Sequence, residues 1–244
     1  MEGSEGLSTV NSGQSTVVSG QSTVNSGQLE KEGSMVYLFS GLGADERVFQ
    51  RLNLSGHEHV FIKWITPHAH ETMEAYAARL RIQITSENPI FIGLSFGGMV
   101  AIEVAKQIKT SKLILLSTAK TRSEIPFYFR WAGLLGLHKM VPPSWLKKSS
   151  MATNWLFGAD NPFSRTVLKQ ILQDTDPAFL SWAIDRIVGW KNQWRPSNCI
   201  HVHGTHDRIL PLRFVRCDHV IQGGGHLMSI HQAEELNKFL AQTL

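Results

Sequence analysis

An apolar run, PIFIGL (89–94), leads through Gly93-Leu94-Ser95-Phe96-Gly97 straight into FGGMVAIEVAKQI (96–108), a segment too apolar for a protein surface. Few backbones accept that order of residues. A short continuous apolar run suits a strand covered on both faces, and the segment after it suits a largely buried helix. A serine set between glycines at their junction must occupy a tight strand-to-helix turn, with its hydroxyl standing clear of the sheet. The start of the following helix favours negative charge at that point.

This unit is one of a series. MVYLF (35–39), HVFIKWI (59–65), KLILLS (112–117), CIHVHG (199–204) and DHVIQ (218–222) read as five further strands. Met73, Tyr76, Ala77, Leu80 and Ile84 recur at helical spacing over 73–84, and Ile230, Ala233, Leu236 and Leu240 do so over 230–243. Ser229, with Gln232 three residues on, predicts a capping box at the start of the last helix. Asp45 and Glu46 are expected to cap a helix starting near Arg47. Strands alternating with helices predict an α/β fold: an open parallel sheet of about six strands with helices on both faces.

The alternation breaks over 120–195, which contains helix starts and no good strand. Asn161-Pro162 and Asp176-Pro177 each place a capping side chain before a proline at the first helical position, and Pro142-Pro143-Ser144 marks another break. A helical cap inserted after the fourth strand is expected, with 35–119 and 196–244 forming the core. Six of the seven tryptophans fall in this insertion, Trp64 alone lying outside it, and its Lys and Arg outnumber its acids.

Residues 8–28 repeat STVNSGQ three times, with Val18 replacing Asn once. One apolar residue per unit cannot make a coiled-coil seam, and the composition predicts a flexible, solvated tail over 1–34. It reads as a natural disordered extension, as an appended expression leader (Leu29-Glu30 and Gly33-Ser34 resemble cloning scars), or as the product of a start codon set too far upstream. The last two predict that the natural protein begins at Met35. Of 244 residues, 42% are hydrophobic, which excludes disorder of the whole chain. No apolar run approaches the ~18 residues a membrane span needs, and the N-terminus carries no basic patch ahead of an apolar stretch. The net charge of +4 comes without a dense Lys/Arg run, so no nucleic-acid partner is expected. Cys199 and Cys217 cannot build a disulfide framework and read as free thiols in a reducing, cytoplasmic compartment.

A serine nucleophile requires a base, and the base requires an orienting acid. His226 follows Gly223-Gly224-Gly225 just after the last strand. Asp207 follows the fifth strand in HGTHDRILP. Ser95, Asp207 and His226 thus come in the chain order of an elbow hydrolase, each at the carboxyl end of a strand. His231 is the runner-up base. The oxyanion of an acyl transfer is expected to meet two main-chain N–H groups, those of Phe96 and of Leu42 in SGLGADERVF. Cys199, His201 and His203 share a strand face near His206, a pattern read as packing rather than as a metal site.

These residues resemble the α/β-hydrolase fold, in its cap-bearing serine esterase-like branch, from Met35 to Leu244. The resemblance implies hydrolysis of a small-to-medium carboxylic ester through an acyl-enzyme on Ser95, with no cofactor and with a small-molecule ester as partner. Thioester hydrolysis, acyl transfer, C–C hydrolysis, hydroxynitrile lysis and a slow-turnover ligand receptor are the alternatives on the same fold. Two departures stand out. Many relatives carry His-Gly at the oxyanion loop where this chain has Ser40-Gly41, so the loop's support must differ. The first two strands common in the family are also missing. The aromatic insertion is expected to line the acyl pocket, with Trp182 and Trp190 as its candidates.

Overall fold

The computed structural model describes residues 34–140 and 150–244. The repeat tail, apart from Ser34, and the Pro142-Pro143 break lie outside the described residues.

Six strands form a single parallel sheet: β1 (Val36–Phe39), β2 (His59–Phe61), β3 (Ile90–Leu94), β4 (Lys112–Leu116), β5 (Cys199–Gly204) and β6 (His219–Ile221). Their order is β2-β1-β3-β4-β5-β6. The register places Val36 opposite Ile90, and Ile90 opposite Lys112. Alternation along the strands divides the core into two layers. Tyr37, Phe39, Phe91, Leu113 and Leu115 face one layer, shared with helices α1 (Met73–Leu80) and α2 (Phe96–Ala105). Val36, Leu38, Ile90, Ile92, Ile114 and Val202 face the other, which takes in Leu236 and Leu240 of the C-terminal helix. Side chains of this size, fully buried, each stabilise the fold by about 1.5–3 kcal/mol.

β2 is shorter than its apolar run, and side chains from the α1 region are the reason. Gln83 accepts from the Lys63 N–H and donates to the Lys63 carbonyl, both at 2.9 Å. The Tyr76 hydroxyl does the same for Ile65, at 3.1 and 2.9 Å. With its main-chain groups taken this way, the segment leaves the ladder after Phe61.

Between β4 and β5 the described residues form helices only: α3 (Phe127–Leu134), α4 (Met151–Phe157), α5 (Pro162–Asp174) and α6 (Pro177–Gly189), besides short 3-10 turns. Both proline starts are capped as the sequence predicts. Asn161 accepts from the Ser164 N–H at 2.9 Å, with Ser164 Oγ returning the bond, and Asp176 accepts from the Phe179 N–H at 2.7 Å.

The C-terminal end departs from expectation. Leu227, Met228 and Ile230 are all buried, so the chain already turns into a short helix, α7 (Met228–His231), before α8 (Ala233–Thr243) begins. Ser229 is buried inside α7 with its hydroxyl unpaired, and Gln232 precedes α8 without a side-chain cap, so the predicted capping box does not form. Near the N-terminus, Asp45 caps a 3-10 turn, Glu46–Phe49, and Glu46 is that turn's first residue rather than a cap. No helix among the described residues is long and apolar enough to cross a membrane.

Candidate active site

Ser95 sits where β3 becomes α2, at φ 53° and ψ −122°, a conformation a serine adopts only under constraint. Its neighbours impose it. The Ser95 N–H donates to the Leu116 carbonyl at 2.9 Å, and the Ser95 carbonyl accepts from Thr118 Oγ1 at 2.6 Å. Gly97 completes the turn: a Cβ there would stand 2.1 Å from the Ser40 carbonyl oxygen, so no other residue lets the helix start this close to β1. Ser95 makes no side-chain cap to its own helix, which leaves Oγ free to bond elsewhere.

Asp207 and His226 arrive from the neighbouring strand ends. The two loops are joined by main-chain bonds, His206 N–H to the Gly224 carbonyl at 2.9 Å and Thr205 N–H to the Ile221 carbonyl at 3.1 Å. The close approach depends on Gly204, where a Cβ would lie 2.1 Å from the Gly224 oxygen. Asp207 Oδ1 accepts from the N–H groups of Ile209 and Leu210 at 3.0 and 2.8 Å. Its Oδ2 accepts from His226 Nδ1 at 2.8 Å. A carboxylate accepts only, so Nδ1 carries the imidazole proton and Nε2 presents a lone pair. Ser95 Oγ lies 2.8 Å from that Nε2 and donates to it. Burial works to raise the Asp207 carboxyl. His226, by charge and hydrogen bond, then His203 and the Leu210 N–H outweigh it and hold the carboxyl below its ordinary value. Asp207 is thus ionised at neutral pH.

The sequence did not single out His203 for this site. It is fully buried, and its Nε2 donates to the Leu210 carbonyl at 2.8 Å while standing 3.5 Å from Asp207 Oδ2. Burial lowers its pKa, against the pull of Asp207, so it sits beside the acid as a neutral ring. His201 lies next to it on the same strand face, and Cys199 is a free thiol that burial pushes up to about 12. Among the described residues, no three His, Cys, Asp or Glu side chains are arranged so as to hold a metal ion. His231, the other candidate base, has no bond to Ser95, and burial lowers its pKa.

The loop holding Leu42 runs alongside the serine: a Cβ on Gly41 would be 3.8 Å from Ser95 Cβ. Its support is supplied without histidine. Ser40 Oγ and Trp64 Nε1 both donate to the Ala44 carbonyl, at 2.7 and 3.1 Å, and Thr175 Oγ1 donates to the Gly43 carbonyl at 3.1 Å. The N–H groups of Leu42 and Phe96 donate no hydrogen bond to the described protein.

The two tryptophan candidates separate. Trp182 joins an aromatic cluster around Phe96, its ring 4.5 Å from Tyr76, 5.8 Å from Phe179 and 6.1 Å from Phe96. Trp190 is buried at the far end of α2, where its Nε1 donates to Glu103 Oε1 at 2.7 Å. Glu103 lies eight residues beyond Ser95, about 12 Å along the helix axis. Trp64, outside the insertion, and Phe179, an aromatic of the insertion not named as a candidate, line a cleft of about 330 Å³ that reaches Gly43. Their roles lie in long-range packing that no local pattern in the sequence marks. On the other side, the Phe157 ring stands 5.9 Å from the His226 ring.

A parallel sheet with a serine elbow on its third strand, and an acid and a histidine on its last two, defines an α/β-hydrolase architecture. The chain belongs to the Alpha/beta hydrolase family, whose model matches residues 34–239. None of the curated proteins compared matches it by sequence. Solved structures share the fold. An esterase from Exiguobacterium antarcticum superposes with a TM-score of 0.65 at 16% identity, over 86% of this chain and 91% of that one. A thermophilic esterase from Thermogutta terrifontis gives 0.61 at 18%, over 86% and 89%. An N-acyl homoserine lactone degrading enzyme gives 0.64 at 15%, over 87% and 94%.

Proposed function

We propose that the protein is a serine hydrolase that cleaves small-to-medium carboxylic esters through an acyl-enzyme on Ser95. The carrying observation is the unbroken pair of 2.8 Å hydrogen bonds from Ser95 Oγ through His226 to Asp207. In the proposed reaction His226 Nε2 takes the Ser95 proton as Oγ attacks the ester carbonyl. The N–H groups of Leu42 and Phe96 receive the negative charge that forms on the former carbonyl oxygen. Collapse of the tetrahedral intermediate expels the alcohol, which leaves with the proton held by His226. Water, activated by the same imidazole, then releases the acid. Asp207 keeps the ring in the working tautomer and stabilises its charged form. The helices of 120–195 act as the cap, and the aromatic cleft beside Gly43 takes the acyl group.

A panel of activated esters of increasing acyl length, assayed with wild type and Ser95→Ala, tests this reading. Lactones belong in the panel, since a cyclic ester opens by the same acyl-enzyme and a lactone-degrading enzyme shares the fold. Turnover with an optimum in acyl length, lost in Ser95→Ala, is expected. A fluorophosphonate probe should label Ser95; labelling of another residue, or turnover surviving in Ser95→Ala, would overturn the assignment.

A further inference from the structure

The loop that carries Leu42 is held by a residue of the helical stretch between β4 and β5. Gly41, Leu42, Gly43 and Ala44 form a tight turn, closed by the Ala44 N–H, which donates to the Gly41 carbonyl at 3.0 Å. Gly43 occupies it at φ 63°, in the left-handed region. Thr175, between α5 and α6, lies directly against this glycine: a Cβ on Gly43 would stand 2.3 Å from Thr175 Cγ2. Thr175 is buried, and its Oγ1 lies 3.1 Å from the Gly43 carbonyl oxygen and 2.6 Å from that of Ile171, so its single proton is shared between them. The Ile171 oxygen also accepts from the Thr175 N–H at 3.0 Å. Loss of the hydroxyl therefore leaves Ile171 with a donor and takes the Thr175 donor from Gly43. The preceding residue, Asp174, accepts from Arg47, three residues past the turn, at 2.8 Å.

Peptide planarity carries this hold towards the nucleophile. The Gly43 carbonyl and the Ala44 N–H belong to one peptide plane, so fixing the carbonyl fixes the direction of the N–H. That N–H grips the Gly41 carbonyl, which shares a plane with the Leu42 N–H and points the opposite way across it. The direction of the Leu42 donor is thus set from two planes away. Ser40 Oγ and Trp64 Nε1 act elsewhere, on the Ala44 carbonyl, which belongs to the following plane.

We propose that Thr175 is a positioning residue for the oxyanion: through Gly43 and Ala44, its hydroxyl aims the Leu42 N–H at the carbonyl oxygen of the bound ester. This rests on the esterase reading. Thr175 and Gly43 also line the aromatic cleft, so the wall that meets the acyl group and the support of the oxyanion donor are one piece.

Two substitutions in the full chain separate the hydroxyl from the shape. Thr175→Val keeps the volume and removes the donor; Thr175→Ser keeps the donor. On an activated ester, Thr175→Val should lower kcat about ten- to a hundredfold, less than loss of a whole oxyanion donor costs, with KM within about twofold of wild type. Thr175→Ser should restore most of the loss. A second measurement needs no turnover. Hydrogen exchange followed by NMR at the Ala44 amide should be about tenfold or more faster in Thr175→Val and return towards wild type in Thr175→Ser. Unchanged Ala44 exchange in Thr175→Val overturns the proposal. So does faster exchange with kcat intact, a change confined to KM, or a loss in Thr175→Ser as large as in Thr175→Val. If the wild type turns over no ester, the esterase reading falls, and Ala44 exchange alone then decides whether Thr175 holds the turn.

Discussion

At the scale of residues, the proposed chemistry depends on three side chains acting as one unit. Ser95→Ala and His226→Ala should each lower kcat by roughly 10⁴–10⁶, with the double variant little worse than either, as steady-state kinetics on an activated ester would reveal. Full activity in Asp207→Asn would transfer the orienting role to another group. The three were legible because each stands at a strand end beside glycines, a local pattern. His203 was not, because its place against Asp207 arises from the bend of the loop to Leu210, which strand alternation does not encode. His201 carries a different cost. It is fully buried, and although the backbone of Thr118 and Arg216 lies near, neither ring nitrogen reaches hydrogen-bond geometry. Burial, then the neighbouring His203 and Lys120, hold its pKa well below the ordinary 6.5. The folded protein therefore refuses a proton that the unfolded chain binds below pH 6.5, and stability falls as pH drops through that value. His201→Leu should raise stability, by about 1–3 kcal/mol from removing unpaired buried polar atoms, and flatten the acid slope. Melting temperatures at pH 8 and about pH 5.5 check this. A variant as acid-sensitive as wild type would place the slope at His203 and His231, which burial also lowers.

At the scale of elements, α6 divides the two tryptophans by function. Trp182→Ala should change relative kcat/KM values across acyl lengths, because its ring packs on Phe96 and Phe179. Trp190→Phe should leave that ranking unchanged and lower stability by about 1–3 kcal/mol, since it strips a donor from the buried Glu103 carboxylate. Acyl selectivity shifting in Trp190→Phe would return that residue to the pocket. The strands were legible nearly to the residue where burial on both faces leaves a continuous apolar run, as in β3 and β4. β2 was over-read because Gln83 and Tyr76 end it from a distance. The proline-led starts of α5 and α6 were legible from the dipeptide alone. The start of α7 was not, because tertiary burial of Leu227 and Met228 overrides the cap that Ser229 could have offered.

At the scale of the molecule, a chain starting at Met35 should keep the melting temperature and the activity of the full sequence. Each seven-residue unit of the tail carries so little apolar surface that its removal should expose almost none. A loss of several degrees on thermal melting, or of turnover, would mean that the repeats contribute to the folded body. The order of the sheet has a consequence in time. Ser95 and the imidazole it bonds are 131 residues apart in the chain. At ordinary rates of translation, about ten seconds separate the making of the one from the making of the other. Throughout that interval the nascent polypeptide holds a serine with no partner, chemically no different from any other alcohol. On the proposed mechanism, reactivity is thus withheld until the chain has passed through His226, and a truncated product of the ribosome would carry Ser95 without its proposed base.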